Sequence, residues 1–199
     1  MSPAGPAYTP GMASLRPADR LLDAATRLFT LHGIRAVGID QVIAAAGVAK
    51  SSLYQAFGSK EALVVAYLER QDAADRAAYR AAVTGVRGGV ERVLTSFDLA
   101  ISGAARRSYR GCLYLNAATE FPEADHPVAE AVEAHRAWVR ARWSEALGAP
   151  DPELVARIQV LYDGGIAGVK CARSTAPIVL ARAMAAELLA AHTPENASR

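Results

Sequence analysis

The stretch IDQVIAAAGVAKSSLYQAFGSK, residues 39–60, decides how the chain folds. Ile39, Val42 and Ile43 fall on one helical face, so a short helix over residues 39–46 can bury them. Gly47 ends it, because a residue without Cβ enters the left-handed region at little cost. Val48 follows the turn and is placed to plug between two helices. A second helix is expected over residues 50–57. Leu53 and Phe57 are four apart and share its inner face. Ser51, Ser52, Tyr54 and Gln55 then lie outward or at the flanks. Gly58 breaks the chain again. Ser59 is set to cap the next helix, and Glu61 complements that helix's dipole in its first turn. Helix, tight turn and helix follow one another within these residues.

Upstream, residues 17–32 read as a helix. Pro17 suits its first turn, and Leu21, Ala25, Leu28 and Phe29 build an apolar stripe that Gly33 stops. Residues 1–14 are rich in Pro, Gly and Ala and are read as a disordered arm. Downstream, a long helix is expected over 60–82, strongly charged toward its end. A glycine-rich turn at 85–89 follows, then helices over 88–105, 112–119, 127–147, 152–172 and 176–192. Asp151-Pro152-Glu153 is a start signal of cap, first-turn proline and acid, and Ala176-Pro177 opens the last helix. Strand pairs, repeats and heptads are not discernible. The reading is an all-α chain: a three-helix helix-turn-helix domain at 15–62 and a larger helical domain at 63–199.

Composition narrows the function. The net charge of +2 over 199 residues is near neutral, but its distribution is not. Residues 16–60 carry six basic and three acidic side chains, whereas residues 61–199 carry sixteen basic and seventeen acidic. A positive excess confined to one short segment suits an acidic partner. Cys112 and Cys171 are too few for a disulfide framework and read as small buried hydrophobes in a reducing compartment. No signal peptide and no long apolar run is seen, so a cytoplasmic location away from membranes is expected. Phosphate-binding glycine loops, a nucleophile elbow and paired Cys-x-x-Cys motifs are missing. The chain is therefore read as a non-enzyme without cofactor or metal. Glu120, Glu123, Asp125 and His126 could imitate a metal cluster, but a proline-containing acidic loop reads as solvated.

Several groups of residues fall at familiar spacings. Arg20-Leu21-Leu22-Asp23-Ala24-Ala25, Leu28-Phe29, Gly33, Ala46-Gly47-Val48, Ser52-Leu53-Tyr54, Phe57 and Ser59-Lys60-Glu61-Ala62-Leu63 together resemble the TetR/AcrR family of bacterial transcriptional regulators. The remainder resembles that family's ligand-binding domain in length and helical character. The segment from Arg110 to Ala117, followed by Glu120-Phe121-Pro122, resembles one found in a subset of it. The resemblance implies a homodimeric repressor that binds a double-stranded DNA operator and is released by a small-molecule effector. The rival reading is a helical ligand-binding or interaction protein without specific DNA binding.

A helix entering the major groove needs short or polar side chains outside and an apolar anchor behind. Lys50 can reach a phosphate or a guanine edge, Ser51 and Ser52 let the backbone approach, and Gln55 can read adenine. Tyr54 offers a hydroxyl to a phosphate and a ring to a thymine methyl. The resemblance implies phosphate contacts for Tyr54 and Lys60, base-edge contacts for Lys50, Ser51 and Ser52, and a backbone clamp at Gln41. Singly, each is an ordinary surface or capping residue; within the motif they read jointly as a DNA contact set. The chain departs from its relatives at Gly38-Ile39 and Ala49, where capping Ser or Thr is usual, and at Ala56, often a phosphate-contacting His. Each lost hydrogen bond should cost on the order of 1 kcal/mol.

In the larger domain, residues 152–192 are expected to form the dimer interface as a four-helix bundle with their mates. Gly164, Gly165 and Gly168 sit mid-helix, where each costs about 1 kcal/mol relative to Ala, so close helix contact or a kink is expected there. Phe97, Tyr114, Asn116, Trp138, Trp143 and Tyr162 are the candidate effector contacts, with core packing the duller alternative for each.

Overall fold

The computed structural model describes residues 15–106 and 109–192. The expected arm at residues 1–14 lies outside them. The described residues form nine helices and no strand. They are α1 (Pro17–His32), α2 (Ile39–Ala46), α3 (Lys50–Phe57), α4 (Lys60–Ala82), α5 (Gly89–Ala104), α6 (Leu113–Glu120), α7 (Pro127–Ala146), α8 (Pro152–Ala172) and α9 (Ala176–Ala191). The chain divides into two compact units, the first ending at Tyr67 and the second starting at Leu68, so the division falls inside α4.

In the first unit, α1 packs on both α2 and α3. Leu21, Ala24, Ala25 and Phe29 of α1 are buried, as are Val42 of α2, Leu53 of α3 and Leu63 of α4. Ile34 and Val37, in the α1–α2 connection, are also buried. Phe29 meets the Tyr67 ring edge-on at 5.5 Å. Val48 and Phe57 are half-buried. Gly47 takes φ 61°, ψ 44°, and its N–H bonds back to the Ala44 carbonyl. A Cβ there would stand 2.8 Å from Arg20 Nη2, the movable end of a flexible side chain, so it is the left-handed backbone that favours glycine.

The second unit holds the larger core. Phe97 of α5, Trp143 of α7, Ile158 of α8 and Ile178 of α9 lie at its centre, each without accessible surface. Trp143 Nε1 donates to Ser96 Oγ at 2.9 Å, which satisfies the one polar atom this tryptophan takes inside. Asp151 caps α8, its Oδ1 accepting from the Glu153 N–H at 2.9 Å, with Pro152 in the first turn.

Helices α8 and α9 approach closely, and glycine permits it. A Cβ on Gly165 would lie 2.7 Å from Ala181 Cβ and 3.1 Å from Ile178 Cα. One on Gly168 would lie 2.7 Å from Pro177 Cβ. Of the two expectations for these glycines, close contact is the one realised at 165 and 168. Gly164 has nothing within 4 Å and faces outward. Cys171 is exposed and so is not the buried hydrophobe expected, whereas Cys112 is partly buried against the core of the second unit. Cys171 falls on the outer side of α8, where the apolar stripe does not reach. Among the described residues no helix is long and apolar enough to cross a membrane.

Candidate nucleic-acid interface

Helix α3 is built for one-sided exposure. Leu53 is its fully buried anchor, while the next residue, Tyr54, keeps 48% of its surface accessible. Lys50, Ser51 and Gln55 are exposed, and Ser52 and Lys60 are half-buried at the flanks. Apart from Lys60, which opens α4, these residues lie on one eight-residue helix. Such a helix is about 12 Å long, which suits the roughly 12 Å width of the major groove.

Two hydrogen bonds that sequence reading missed hold the ends of α2, one at its start and one at the turn in front of α3. Arg20 Nη2 donates to the Gly47 carbonyl at 2.8 Å, placing a guanidinium at the C-terminal end of α2, where the helix dipole favours a cation. Gln41 Oε1 accepts from the Gly38 N–H at 2.8 Å. This is the glutamine half of a capping box; Gly38 has no side chain to supply the other half. Gln41 therefore orients the start of α2 and stays exposed for the clamp role expected of it. The spacing Gly38-x-x-Gln41 was the available signal for this bond. No local pattern announces the Arg20 contact, which spans 27 residues.

The expected departures are visible as geometry. Ala49 is the N-cap of α3 and makes no side-chain cap bond, and α2 likewise starts from Gly38 without one. By contrast, Ser59 Oγ accepts from the Ala62 N–H at 3.1 Å, as its position suggested. Lys50 Nζ sits 3.4 Å from Asp40 Oδ1, both side chains largely exposed. An ion pair so placed contributes well under 1 kcal/mol and leaves the ammonium able to swing to a phosphate.

The six effector candidates separate into groups within the second unit. Phe97, Trp143 and Tyr162 pack ring against ring, with Tyr162 edge-on at 5.2 Å and 5.5 Å to the other two. Phe97 and Trp143 are fully enclosed, whereas Tyr162 is half-buried. Tyr114 stacks on His135 at 3.6 Å and donates to Asp75 Oδ2 at 2.9 Å. Trp138 meets Tyr79 edge-on at 5.6 Å and lies beneath the Arg76 guanidinium at 5.0 Å. Asn116 accepts from Lys170 Nζ at 3.1 Å and donates to the Arg110 carbonyl at 3.2 Å.

Titration in this region follows burial. His135 Nδ1 lies 2.8 Å from Asp72 Oδ1, and since a carboxylate only accepts, that nitrogen carries the proton. Burial holds the imidazole below its ordinary range, outweighing the pull of Asp72 and Asp75 toward the charged form. Burial likewise raises the Asp75 carboxyl, against the Tyr114 hydrogen bond that lowers it.

Comparison with known proteins agrees with this geometry. The profile of bacterial regulatory proteins of the tetR family matches residues 21–67. A TetR-family transcriptional regulator from Streptomyces coelicolor superposes with a TM-score of 0.77 at 32% identity, over 86% of this chain and 92% of the other. The chain belongs to the TetR family. Its fold and family are those of DNA-binding transcriptional regulators, not of enzymes. A TetR transcriptional regulator from Chloroflexus aurantiacus shares the fold, with a TM-score of 0.76 at 22% identity over 87% of this chain and 94% of the other. An uncharacterised HTH-type transcriptional regulator of Mycobacterium tuberculosis is 46% identical over 54 residues. That match spans 27% of this chain and 27% of the relative, about a quarter of each.

Proposed function

We propose that this TetR-family chain is a homodimeric repressor that binds a near-palindromic operator and leaves it when a small molecule binds the second unit. The observation that carries the reading is the pairing of buried Leu53 with exposed Tyr54 on α3. It turns Ser51, Ser52, Tyr54 and Gln55 outward on a helix anchored from behind. Tyr54 and Lys60 contact phosphate in this reading, Lys50, Ser51, Ser52 and Gln55 reach base edges, and Gln41 clamps the backbone.

Dimerisation through 152–192 is supported by an unpaid apolar surface on α8 and α9. Val160, Leu180, Val179 and Met184 are exposed to 70%, 61%, 47% and 44%. Of these, Val160 and Met184 border, with Leu161 and Leu188, a shallow groove between the two helices, rimmed by Glu153, Arg157 and Glu187. An apolar centre with a charged rim is the anatomy of a protein interface. A dimer presents two reading heads, so the half-sites fall about one helical turn (~34 Å) or a little more apart.

Selection of bound sequences from a random DNA pool by the full-length protein, followed by footprinting, tests the reading. Recovery of an inverted repeat with symmetric protection is expected. Binding that shows no sequence preference at any salt concentration would leave a helical interaction protein as the better description.

A further inference from the structure

Helix α3 does not fix its own start. It has eight residues, fewer than the roughly 12–15 that an isolated helix needs to hold its shape. Its N-cap, Ala49, supplies no side-chain bond. Its first turn carries Lys50 and no acid, so the helix dipole is opposed there. Leu53 anchors its middle. The end that carries Lys50, Ser51 and Ser52 is therefore set by whatever holds the turn ahead of it.

That turn consists of Gly47, Val48 and Ala49. The Gly47 N–H bonds to the Ala44 carbonyl at 3.2 Å and the Val48 N–H to the Ile43 carbonyl at 3.4 Å. Both bonds tie the turn back to α2 alone. Yet α2 and α3 lean on α1 more than on each other. Arg20 of α1 makes the shorter tie, from Nη2 to the Gly47 carbonyl at 2.8 Å. A bond from a guanidinium is also stronger than one between neutral groups. The guanidinium holds this place at a cost, because Arg20 Nε is buried and has no partner among the described residues.

We infer that Arg20 is the positioning residue of the reading helix: through the Gly47 carbonyl it fixes how the first turn of α3 meets DNA, and so sequence discrimination, without itself touching DNA. The inference rests on the reading that α3 enters the major groove, and adds the residue that sets how it enters. Hydrogen bonds to base edges need donor and acceptor within about 2.7–3.2 Å, so a small shift of the turn breaks them. Lys50, Ser51 and Ser52 stand three to five residues beyond Gly47 and feel such a shift first. Lys60 lies past the Leu53 anchor, on a flexible stem that can follow a phosphate. Loss of Arg20 therefore erodes discrimination and spares the salt-dependent part of binding.

Arg20→Met in the full-length protein tests the assignment, since methionine keeps an unbranched stem and good helix propensity while removing every donor. In hydrogen exchange without DNA, the bonded amides of Gly47, Val48 and Ser52 should lose protection by about tenfold or more, the worth of one charge-assisted bond, while those of α1 and α4 hold. Gel-shift titrations use one duplex carrying the selected inverted repeat and one of shuffled sequence. The ratio of the two affinities should fall by about tenfold or more, with the slope of log K against log salt unaltered. Arg20→Lys is the milder substitute if the methionine variant does not fold, and should show the same changes at smaller size. Unchanged turn amides, or protection lost evenly across the first unit, overturn the proposal. So does equal loss on both duplexes with a smaller salt slope, which would make Arg20 a phosphate contact. The two readings fail separately. A wild type without any preferred sequence, whose turn still loosens in Arg20→Met, refutes the operator reading and keeps the hold of Arg20 on α3. An operator that Arg20→Met reads as selectively as wild type does the reverse.

Discussion

Gly165→Ala and Gly164→Ala add the same methyl group to adjacent positions of α8 and should move stability in opposite directions. Each replacement gains about 1 kcal/mol of helix propensity. At Gly164 nothing lies within 4 Å, so that gain stands within the protomer. At Gly165 the new Cβ would lie 2.7 Å from Ala181 Cβ, 2.8 Å from Ile178 Cδ1 and 3.1 Å from Ile178 Cα. Carbon atoms rest at about 3.5–4.0 Å, so α9 must retreat by roughly 1 Å locally. Only Ile178 Cδ1 can rotate away; the other two atoms are fixed to the α9 backbone. Overpacking costs about 1–3 kcal/mol, and fixed neighbours put this site in the upper half. The net loss is about 1–2 kcal/mol, or roughly 2–8 °C for a chain of this size. Urea unfolding followed by tryptophan fluorescence reads it directly, because Trp138 and Trp143 both lie in the second unit. Variants and wild type are compared at one protomer concentration, since dimerisation shifts the midpoint. If Gly165→Ala proves as stable as Gly164→Ala, close packing of α8 on α9 is not why glycine stands at 165.

Tyr54→Ala should weaken operator binding by about tenfold or more per reading head, the worth of one hydrogen bond to a charged group, without altering helical content; unchanged affinity in a gel-shift titration would remove Tyr54 from the contact set. Lys60→Ala should lower affinity for all sequences alike and reduce the slope of log K against log salt by about 0.9 per head, whereas an unaltered slope would mean that Lys60 neutralises no phosphate. Leu53→Ala should cost the first unit about 2–5 kcal/mol and abolish specific binding through unfolding, as hydrogen exchange of α3 amides would reveal. His135 supplies a pH signature. Its folded value lies below the ordinary 6.5, so its contribution is complete above that pH and is lost as the solution is acidified through the window beneath it. The unfolding midpoint of wild type should fall more than that of His135→Gln between pH 7.5 and 5.5; parallel curves would refute a buried neutral imidazole. Asp75, raised above its ordinary 3.8, acts in the opposite sense at the acid end, losing stability as pH rises through its own window.

Much of this molecule was legible along the chain because its signals are local. Apolar spacing placed all nine described helices to within a residue at their ends. Gly47, Ser59 and Asp151 stopped or started helices through bonds to neighbours no more than three residues away. The outward set on α3 followed from the same periodicity, since a residue beside a buried leucine must face another way. Contacts that join distant segments left no such trace. Arg20 reaches Gly47 across 27 residues, and Tyr114 reaches Asp75 across 39. Whether Phe97 and Tyr162 would be sealed or accessible could not be read from their type, as both are apolar rings on amphipathic helices.

Local rules thus told where this chain coils and which faces are oily, because a helix and its caps are settled among residues within one turn of each other. Folding in three dimensions alone settled which of those faces meet. It brought Gly165 under Ala181 and sealed Trp143. Each of those outcomes depends on atoms separated by many turns of chain, whose approach is set by how whole helices pack and not by any spacing along one of them.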